Sequence, residues 1–362
     1  MADRYMKLAL ALAKKADPAP NPRVGAVLVK SGKIIGTGYH KKAGMPHAEI
    51  EAINDAIRKG GGPDAVRGAT IYVTLEPCSH RLKRTPPCTD SIIGYGIRKV
   101  VYAMDDPNPM VSGKTVLLEA GIEVEGPVAP KEASALGKEY ISAMSRKPLV
   151  MIKMAMSADG KTATRSGDSK WISCPEERGL VARLRTEYDA VMVGAGTVTA
   201  DDPKLTSRIR GGRDPVRIII DGNLSIPPGS RVLHNPDGRT IVVACEKAPE
   251  SRIRKIATAT EAHVMVCGKD SVDFKSLLDA LRGMGIRKIL IEGGSELNAK
   301  AMEAGIVDKI MLIIAPKIIG GRDALGVIGG TGIGRMRDAI MLKNMKTKKI
   351  GTDLILEFDV SR

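Results

Sequence analysis

Aromatic residues are scarce in this chain, with 1 Trp, 7 Tyr and 2 Phe among 362 residues. Proteins that grip single-stranded nucleic acid stack bases on several aromatic side chains, so the composition argues against that class. The charge still suits an anionic partner, because 56 Lys and Arg against 41 Asp and Glu give a formal net charge of +15. Phosphorylated small molecules and dinucleotides fit both observations.

Long apolar runs are also missing. The longest one near the N-terminus covers residues 8–13, far short of the ~20 residues that a membrane-spanning helix needs. Lys14 and Lys15 follow it, which favours an amphipathic first helix over a secretory signal. The 5 Cys are an odd number spread along the chain. We therefore expect a cytoplasmic protein with no membrane partner, in which close cysteines serve a metal or catalysis rather than disulfides.

The length predicts about two domains. Strands and helices mostly alternate in both halves, which is typical of the α/β class. The stretch 139–148 is polar and basic, and Pro148 precedes a fresh apolar strand at 149–156. We place the boundary there and expect domains at 1–145 and 146–362. We interpret the glycine-rich run 329–334 as a loop and the lysine-rich run 343–349 as a solvated connector.

One set of residues has the composition of a catalytic zinc site. His47 and Glu49 form a His-x-Glu pair, and Pro77-Cys78 is followed by Cys88. His-x-Glu with Pro-Cys-x-x-Cys is the signature of zinc deaminases. One imidazole and two thiolates would leave the fourth tetrahedral position of Zn²⁺ open for water. A carboxylate that is close but not a ligand could then carry the proton, a role that fits Glu49.

The spacing of the two cysteines points to a particular family. Nine residues, 79–87, separate Cys78 from Cys88, where the short signature has two. The chain closely resembles the deaminase domain of the bifunctional riboflavin-biosynthesis deaminase/reductase family in the runs 21–25, 38–40, 46–49, 74–80, 84–88 and 106–109. This resemblance implies a cytidine-deaminase-like three-layer fold, zinc on His47, Cys78 and Cys88, and Glu49 as the proton shuttle. It also implies that Asn21 and His40 line the substrate pocket.

The chain departs from the family between the two cysteines. The family usually has one residue fewer there, with His-Gly where this chain has Arg81-Leu82-Lys83. The loop is therefore longer by one residue and lacks a glycine.

Glycines and arginines of the second half suit phosphate groups. Gly293-Gly294-Ser295 follows an apolar strand and opens a helix, whose free N–H groups favour a phosphate. Gly194-Ala195-Gly196-Thr197 ends another strand and allows close approach of a ligand, although either cluster could equally be a tight turn. Arg185 and Arg208 could clamp a phosphate through paired hydrogen bonds, the alternative being a solvated basic face.

The second half is similar to the reductase domain of the same family in the runs 153–160, 167–172, 200–206 and 292–294, with Arg208. The resemblance implies a dihydrofolate-reductase-like α/β fold that uses NADPH. It assigns to the cofactor Ala155, Trp171, Thr197, Asp201, Gly222, Gly294 and Ser295. It assigns to the phosphoribosyl substrate Lys153, Ser169, Arg185, Leu205, Arg208 and Glu292. No side chain is a clear general acid, and Lys153 and Asp201 are both candidates.

Three hypotheses follow from these observations. The first is a bifunctional enzyme that deaminates 2,5-diamino-6-(5-phosphoribosylamino)pyrimidin-4-one and then reduces its ribosyl side chain with NADPH. The second is a nucleic-acid base deaminase, which predicts the short cysteine spacing and stacking aromatics that this chain lacks. The third is a zinc-stabilised binding protein, against which Glu49 argues, because a structural zinc has four protein ligands and needs no base.

Three further expectations concern the second domain, the partner and the oligomeric state. A pterin or folate reductase remains open for the second domain taken alone, but it would not explain the fused deaminase. The first hypothesis predicts a phosphorylated pyrimidine as partner and no nucleic acid. A homo-oligomer would suit two linked activities, because it would shorten diffusion between their sites.

Overall fold

A computed structural model describes residues 2–18, 21–42, 44–79, 86–108 and 111–361. The chain divides into two compact units, Met1–Arg146 with Arg282–Gly285 and Lys147–Leu281 with Ile286–Arg362. Among the helices formed by the described residues, none is both long enough and apolar enough to cross a membrane.

The first unit is built on one mixed sheet. In chain order its elements are α1 (Ala2–Ala13), β1 (Gly25–Lys30), β2 (Lys33–Tyr39), α2 (Ala48–Gly60), β3 (Thr70–Val73), α3 (Cys88–Gly94), β4 (Lys99–Tyr102), α4 (Gly113–Glu119), β5 (Glu123–Glu125), α5 (Pro130–Leu136) and α6 (Lys138–Ser145). The described strands pair in the order β2-β1-β3-β4-β5. The hairpin of β1 and β2 and the neighbour β3 are antiparallel, whereas β3, β4 and β5 are parallel.

Helices cover both faces of this sheet. On one face, Ala48, Ala52 and Ala56 of α2 are buried against the strands. Gly38 of β2 lies so close to α2 that an added Cβ would sit 2.4 Å from the carbonyl oxygen of Ala48. On the other face, α1 packs through residues such as Tyr5. The predicted three-layer α/β fold is confirmed, and the close packing of α2 fixes where its first turn lies.

The second unit is built on a longer sheet. Its elements are β6 (Leu149–Ser157), α7 (Pro175–Glu187), β7 (Ala190–Gly194), α8 (Ala195–Asp201), β8 (Val216–Ile220), β9 (Thr240–Ala244), α9 (Glu250–Ala259), β10 (His263–Val266), α10 (Phe274–Gly283), β11 (Lys288–Ile291), α11 (Ser295–Glu303), β12 (Lys309–Ala315), β13 (Leu342–Ile350) and β14 (Asp353–Val360). The described strands pair in the order β10-β9-β8-β7-β11-β6-β12-β14-β13.

The strands from β10 to β12 are parallel in this sheet. The carboxyl ends of β6, β7, β8 and β11 therefore meet at one edge. In open α/β sheets this edge is where ligands bind. The α/β class expected for the second half is confirmed.

One interpretation made from the sequence was wrong. The lysine-rich run 343–349 is not a connector but most of β13, which pairs with β14 at the edge of the sheet. Lysines on an edge strand discourage pairing with other chains. Because most of β13 is exposed, its sequence shows no apolar alternation that would mark it as a strand. The polar stretch taken as a boundary contains helix α6, which ends at Ser145, and the first unit extends to Arg146.

Candidate active sites

His47, Cys78 and Cys88 come together in the first unit. His47 is the residue before α2, Cys78 follows β3, and Cys88 is the first residue of α3. The Nδ1 atom of His47 lies 3.2 Å from Sγ of Cys88 and 3.6 Å from Sγ of Cys78. All three possible ligand atoms lie within 4.8 Å of one another. Two thiols and one imidazole are a donor set that suits zinc.

Backbone hydrogen bonds hold the two cysteines in place. The N–H of Cys88 donates to Sγ of Cys78 over 3.3 Å, and the N–H of Thr89 donates to the carbonyl of Cys78 over 3.3 Å. The Glu76 carboxylate accepts from the N–H of Lys114 at 2.8 Å and from that of Asp106 at 3.3 Å. Glu76 therefore ties the cysteine loop to the start of α4, a role that its sequence position alone does not indicate.

Glu49 lies on the first turn of α2 beside this cluster. Only 4% of its surface is exposed, and burial raises the pKa of its carboxyl group above the ordinary value. The side chains of His47, Cys78 and Cys88 all act on it electrostatically or by hydrogen bonding. A buried carboxyl group that is close to the three predicted ligands suits proton transfer.

The two residues expected to line the substrate pocket also lie here. His40 is buried, and the centre of its ring lies 5.2 Å from that of His47. Its Nδ1 lies 3.0 Å from the carbonyl oxygen of Pro46, and its Nε2 lies 3.0 Å from Nδ2 of Asn21. A carbonyl can only accept, so Nδ1 carries the proton and Nε2 accepts from the amide of Asn21. This pair is thereby fixed next to the predicted metal ligands.

The loop in which the chain departs from the family is only partly described. Residues 80–85, including Arg81, Leu82 and Lys83, lie outside the described residues, as does Pro109 of the 106–109 run. The loop's predicted effect on substrate contacts stays a prediction.

In the second unit, the predicted cofactor residues gather at the carboxyl ends of the strands. Gly294 precedes α11 and Thr197 lies on α8, which follow the adjacent strands β11 and β7. A Cβ on Gly294 would lie 3.7 Å from Oγ1 of Thr197. Gly222 follows β8, and a Cβ there would lie 2.8 Å from Sγ of Cys245. The N-terminus of α11 lies at this edge of the sheet, and helix N-termini favour a phosphate.

The remaining predicted cofactor residues are Ala155, Ser295, Asp201 and Trp171. Ala155 lies on β6, Ser295 opens α11, and Asp201 ends α8 with its carboxylate 3.4 Å from Nζ of Lys170. Trp171 is 66% exposed, and its ring lies 5.1 Å from the guanidinium of Arg178. It borders a cleft of about 340 Å³ that is also lined by Ser173, Glu177, Arg178 and Lys317.

The predicted substrate residues fall into two groups. Lys153 and Arg185 are engaged in ion pairs, with Glu177 and Glu292 respectively. Ser169, Leu205 and Arg208 lie on loops, where Ser169 is half-buried, Leu205 buried and Arg208 exposed. Leu205 and Arg208 have φ angles of 55° and 59°. Residues other than glycine rarely adopt such angles, and the strain they carry clusters at functional sites.

Comparisons with known proteins match both halves. Residues 1–104 match the cytidine and deoxycytidylate deaminase zinc-binding region, and residues 148–356 match the RibD C-terminal domain. RibD of Aquifex aeolicus (strain VF5) is 42% identical over 360 residues, covering 98% of this chain and 97% of that protein. RibD of Escherichia coli (strain K12) is 36% identical, covering 97% of each chain. The chain belongs to the RibD family of riboflavin-biosynthesis proteins.

Solved structures agree with this assignment. Acinetobacter baumannii RibD, form 1, matches with a TM-score of 0.55 and 33% identity, covering 100% of this chain and 99% of that one. Membership of the RibD family makes the chain a bifunctional enzyme, a deaminase and a reductase of riboflavin biosynthesis. The nucleic-acid deaminase and the binding protein are thereby set aside.

Sequence reasoning missed one charged residue of the RibD-family reductase half. Glu177 is 7% exposed and pairs with Lys153, a predicted substrate residue. The sequence held a signal for this residue. Glu177 lies on the same face of α7 as Leu180 and Leu184, and apolar residues are expected on that face.

Proposed function

We propose that residues 1–145 hydrolyse the exocyclic amine of 2,5-diamino-6-(5-phosphoribosylamino)pyrimidin-4-one. Residues 146–362 then reduce the ribosyl side chain of the deaminated product to ribityl with NADPH. The observation that carries the first step is the cluster of His47, Cys78 and Cys88 within 4.8 Å, with buried Glu49 beside it.

Zinc on His47, Cys78 and Cys88 would lower the pKa of a water molecule and so supply hydroxide near neutral pH. Glu49 takes the proton of the attacking water and passes it to the departing amine, so that ammonia leaves and a carbonyl remains. Burial favours the protonated form of Glu49, which the second half of this transfer requires. Asn21 and His40 orient the pyrimidine beside Glu49.

NADPH would supply the hydride of the second step, and the protein then needs mainly to align donor and acceptor. The N-terminus of α11 at Gly294 and Ser295 holds a phosphate of the cofactor, beside Thr197. Ala155, Trp171, Asp201 and Gly222 complete the cofactor site. Lys153, Ser169, Arg185, Leu205, Arg208 and Glu292 form the substrate site.

Arg208 is the residue we assign most directly to the substrate phosphate. Arg185 already donates from Nε and Nη2 to Glu292 and from Nη1 to the carbonyl of Thr206. Arg208 is exposed on its loop. An arginine that is accessible to a ligand can bind a phosphate through two parallel hydrogen bonds.

The setting we propose is cytoplasmic, with a phosphorylated pyrimidine as partner and no nucleic-acid partner. The riboflavin-biosynthesis relatives and the net charge of +15 support a small anionic substrate. A homo-oligomer stays a prediction.

A coupled assay tests both steps and their order. Purified, zinc-loaded protein is mixed with the diaminopyrimidine and NADPH, and ammonia and the nicotinamide absorbance are followed together. The proposal predicts release of ammonia followed by oxidation of NADPH. Ammonia alone would contradict the second step, and oxidation of NADPH only with pre-deaminated substrate would contradict the first.

A further inference from the structure

Helix α7 buries a carboxylate on the side that faces the sheet. Leu180 and Leu184 of this helix pack in a cluster with Met151 of β6 and Leu290 of β11. Glu177 precedes Leu180 by three residues and Leu184 by seven, so it lies on the same helix face. It is 7% exposed. A glutamate at such a position is rare unless it is paired.

The partner of Glu177 is Lys153. The two residues form an ion pair, and both side chains are largely buried. Lys153 lies two residues beyond Met151 on β6, so both point to the sheet face that α7 covers. The other carboxylate oxygen, Oε2, accepts a hydrogen bond of 2.7 Å from the hydroxyl of Ser173. The Glu177 carboxylate is therefore held by Ser173 while it holds the ammonium group of Lys153.

The surroundings of this pair are those of the proposed reductase site. Glu177 acts electrostatically on Arg185, which pairs with Glu292. Glu177 also lines the cleft that Trp171 borders. Lys153, Arg185 and Glu292 are each assigned to the substrate by family resemblance, and Trp171 to the cofactor. Glu177 thus pairs with Lys153, acts on Arg185 and lines the same cleft as Trp171, without an assigned role of its own.

We propose that Glu177 is a positioning residue of the reductase, which fixes the Lys153 ammonium group for contact with the substrate. The inference rests on the proposed function, in which the second half reduces the deaminated substrate and Lys153 contacts that substrate. A long lysine side chain has many rotamers, and a buried carboxylate beside it selects one of them. Misplacement of a substrate-contacting group by about 1 Å can cost 100-fold in rate.

The test is a comparison of three variants with the wild type, using pre-deaminated substrate and NADPH. Glu177→Gln keeps the shape of the side chain and a group for Ser173 to contact, but it removes the charge that holds Lys153. We expect reductase kcat/KM to fall about 10- to 100-fold with the dissociation constant for NADPH unchanged. Glu177→Asp restores the charge and should recover part of the loss. Glu176→Gln removes a charge from the same helix turn at an exposed position and should leave the reaction unchanged.

Each outcome bears on the inference. A wild-type kcat/KM in Glu177→Gln would overturn it. A kcat/KM in Glu177→Asp that is no higher than in Glu177→Gln would overturn it as well. Parallel loss of NADPH binding and activity in Glu177→Gln would also overturn it, because Glu177 would then support the fold rather than position Lys153. A wild-type chain that oxidises no NADPH would contradict the proposed function itself, a result distinct from a fully active Glu177→Gln.

Discussion

Arg185 and Glu292 form a two-pronged ion pair in the second unit. Nε and Nη2 of the guanidinium donate to the two carboxylate oxygens over 2.8 and 2.7 Å. The side chains are only 10% and 11% exposed. The pair connects the last turn of α7 with the residue that follows β11. It therefore joins the helix that carries Glu177 to the strand end that leads into the proposed phosphate site.

Removal of Arg185 should destabilise the protein. Arg185→Met leaves the Glu292 carboxylate buried without its cation, which we expect to cost about 3 kcal/mol of unfolding free energy. The melting temperature of the second unit should fall by roughly 6–12 °C. The measurement is thermal denaturation followed by circular dichroism. Arg183→Met, at an exposed position of the same helix, is the control. Equal melting temperatures for the two variants would show that the pair contributes little.

Arg208 should contribute mainly to the binding of substrate. Arg208→Ala removes charge-assisted hydrogen bonds to the proposed phosphate, so the reductase KM for the phosphorylated substrate should rise about 10-fold or more. Arg210→Ala changes an exposed arginine of the same loop and should leave KM unaltered. Steady-state kinetics with NADPH in excess measure the KM of both variants. An unaltered KM in Arg208→Ala would remove Arg208 from the phosphate site.

Asp159 should titrate far below an ordinary aspartate. It accepts hydrogen bonds from the hydroxyl of Ser157 at 2.6 Å and from the N–H groups of Ile319 and Gly320 at 3.1 and 2.7 Å. These bonds, that of Ser157 first, lower its pKa from 3.8 to about 2. Because the pKa is lowered in the folded protein, ionised Asp159 stabilises the fold fully at pH values above the ordinary pKa. This stabilisation is lost as the pH falls through the lowered pKa.

The window for this loss therefore runs from about pH 4 down to about pH 2. Carbon-detected NMR of aspartate-labelled protein follows the carboxyl group directly. We expect a midpoint of about 2 for the resonance that disappears in Asp159→Asn. A midpoint close to 3.8 would mean that the loop after β6 is not tied to Ile319 and Gly320 in solution.

The predicted zinc site could be recognised from the sequence because it is made of two short motifs of a known signature. His47 and Glu49 are neighbours at a helix start, and Cys78 and Cys88 bracket one loop, so residue type and spacing sufficed. The strand at 149–156 was likewise predicted, one residue shorter than the β6 that the structure shows. Apolar runs between turn residues make such buried strands visible.

Other features depend on contacts between distant parts of the chain. Glu177 pairs with a lysine 24 residues away, and Arg185 with a glutamate 107 residues away. No spacing rule encodes such pairs. The left-handed backbone at Leu205 and Arg208 could not be predicted from the sequence either, because leucine and arginine do not favour that conformation. The edge strand β13 escaped prediction because its exposed lysines show no apolar face.

Two separate sites perform the two successive reactions in this proposal, and the variant Glu49→Gln should affect one of them and spare the other. The variant is assayed for zinc content, for ammonia from the diaminopyrimidine and for NADPH oxidation on pre-deaminated substrate, with Cys88→Ser as a zinc-deficient control. We predict that Glu49→Gln retains zinc, releases no ammonia and oxidises NADPH at the wild-type rate. Release of ammonia at the wild-type rate would contradict Glu49 as the proton carrier. Loss of both reactions with zinc retained would contradict the separation of the two sites.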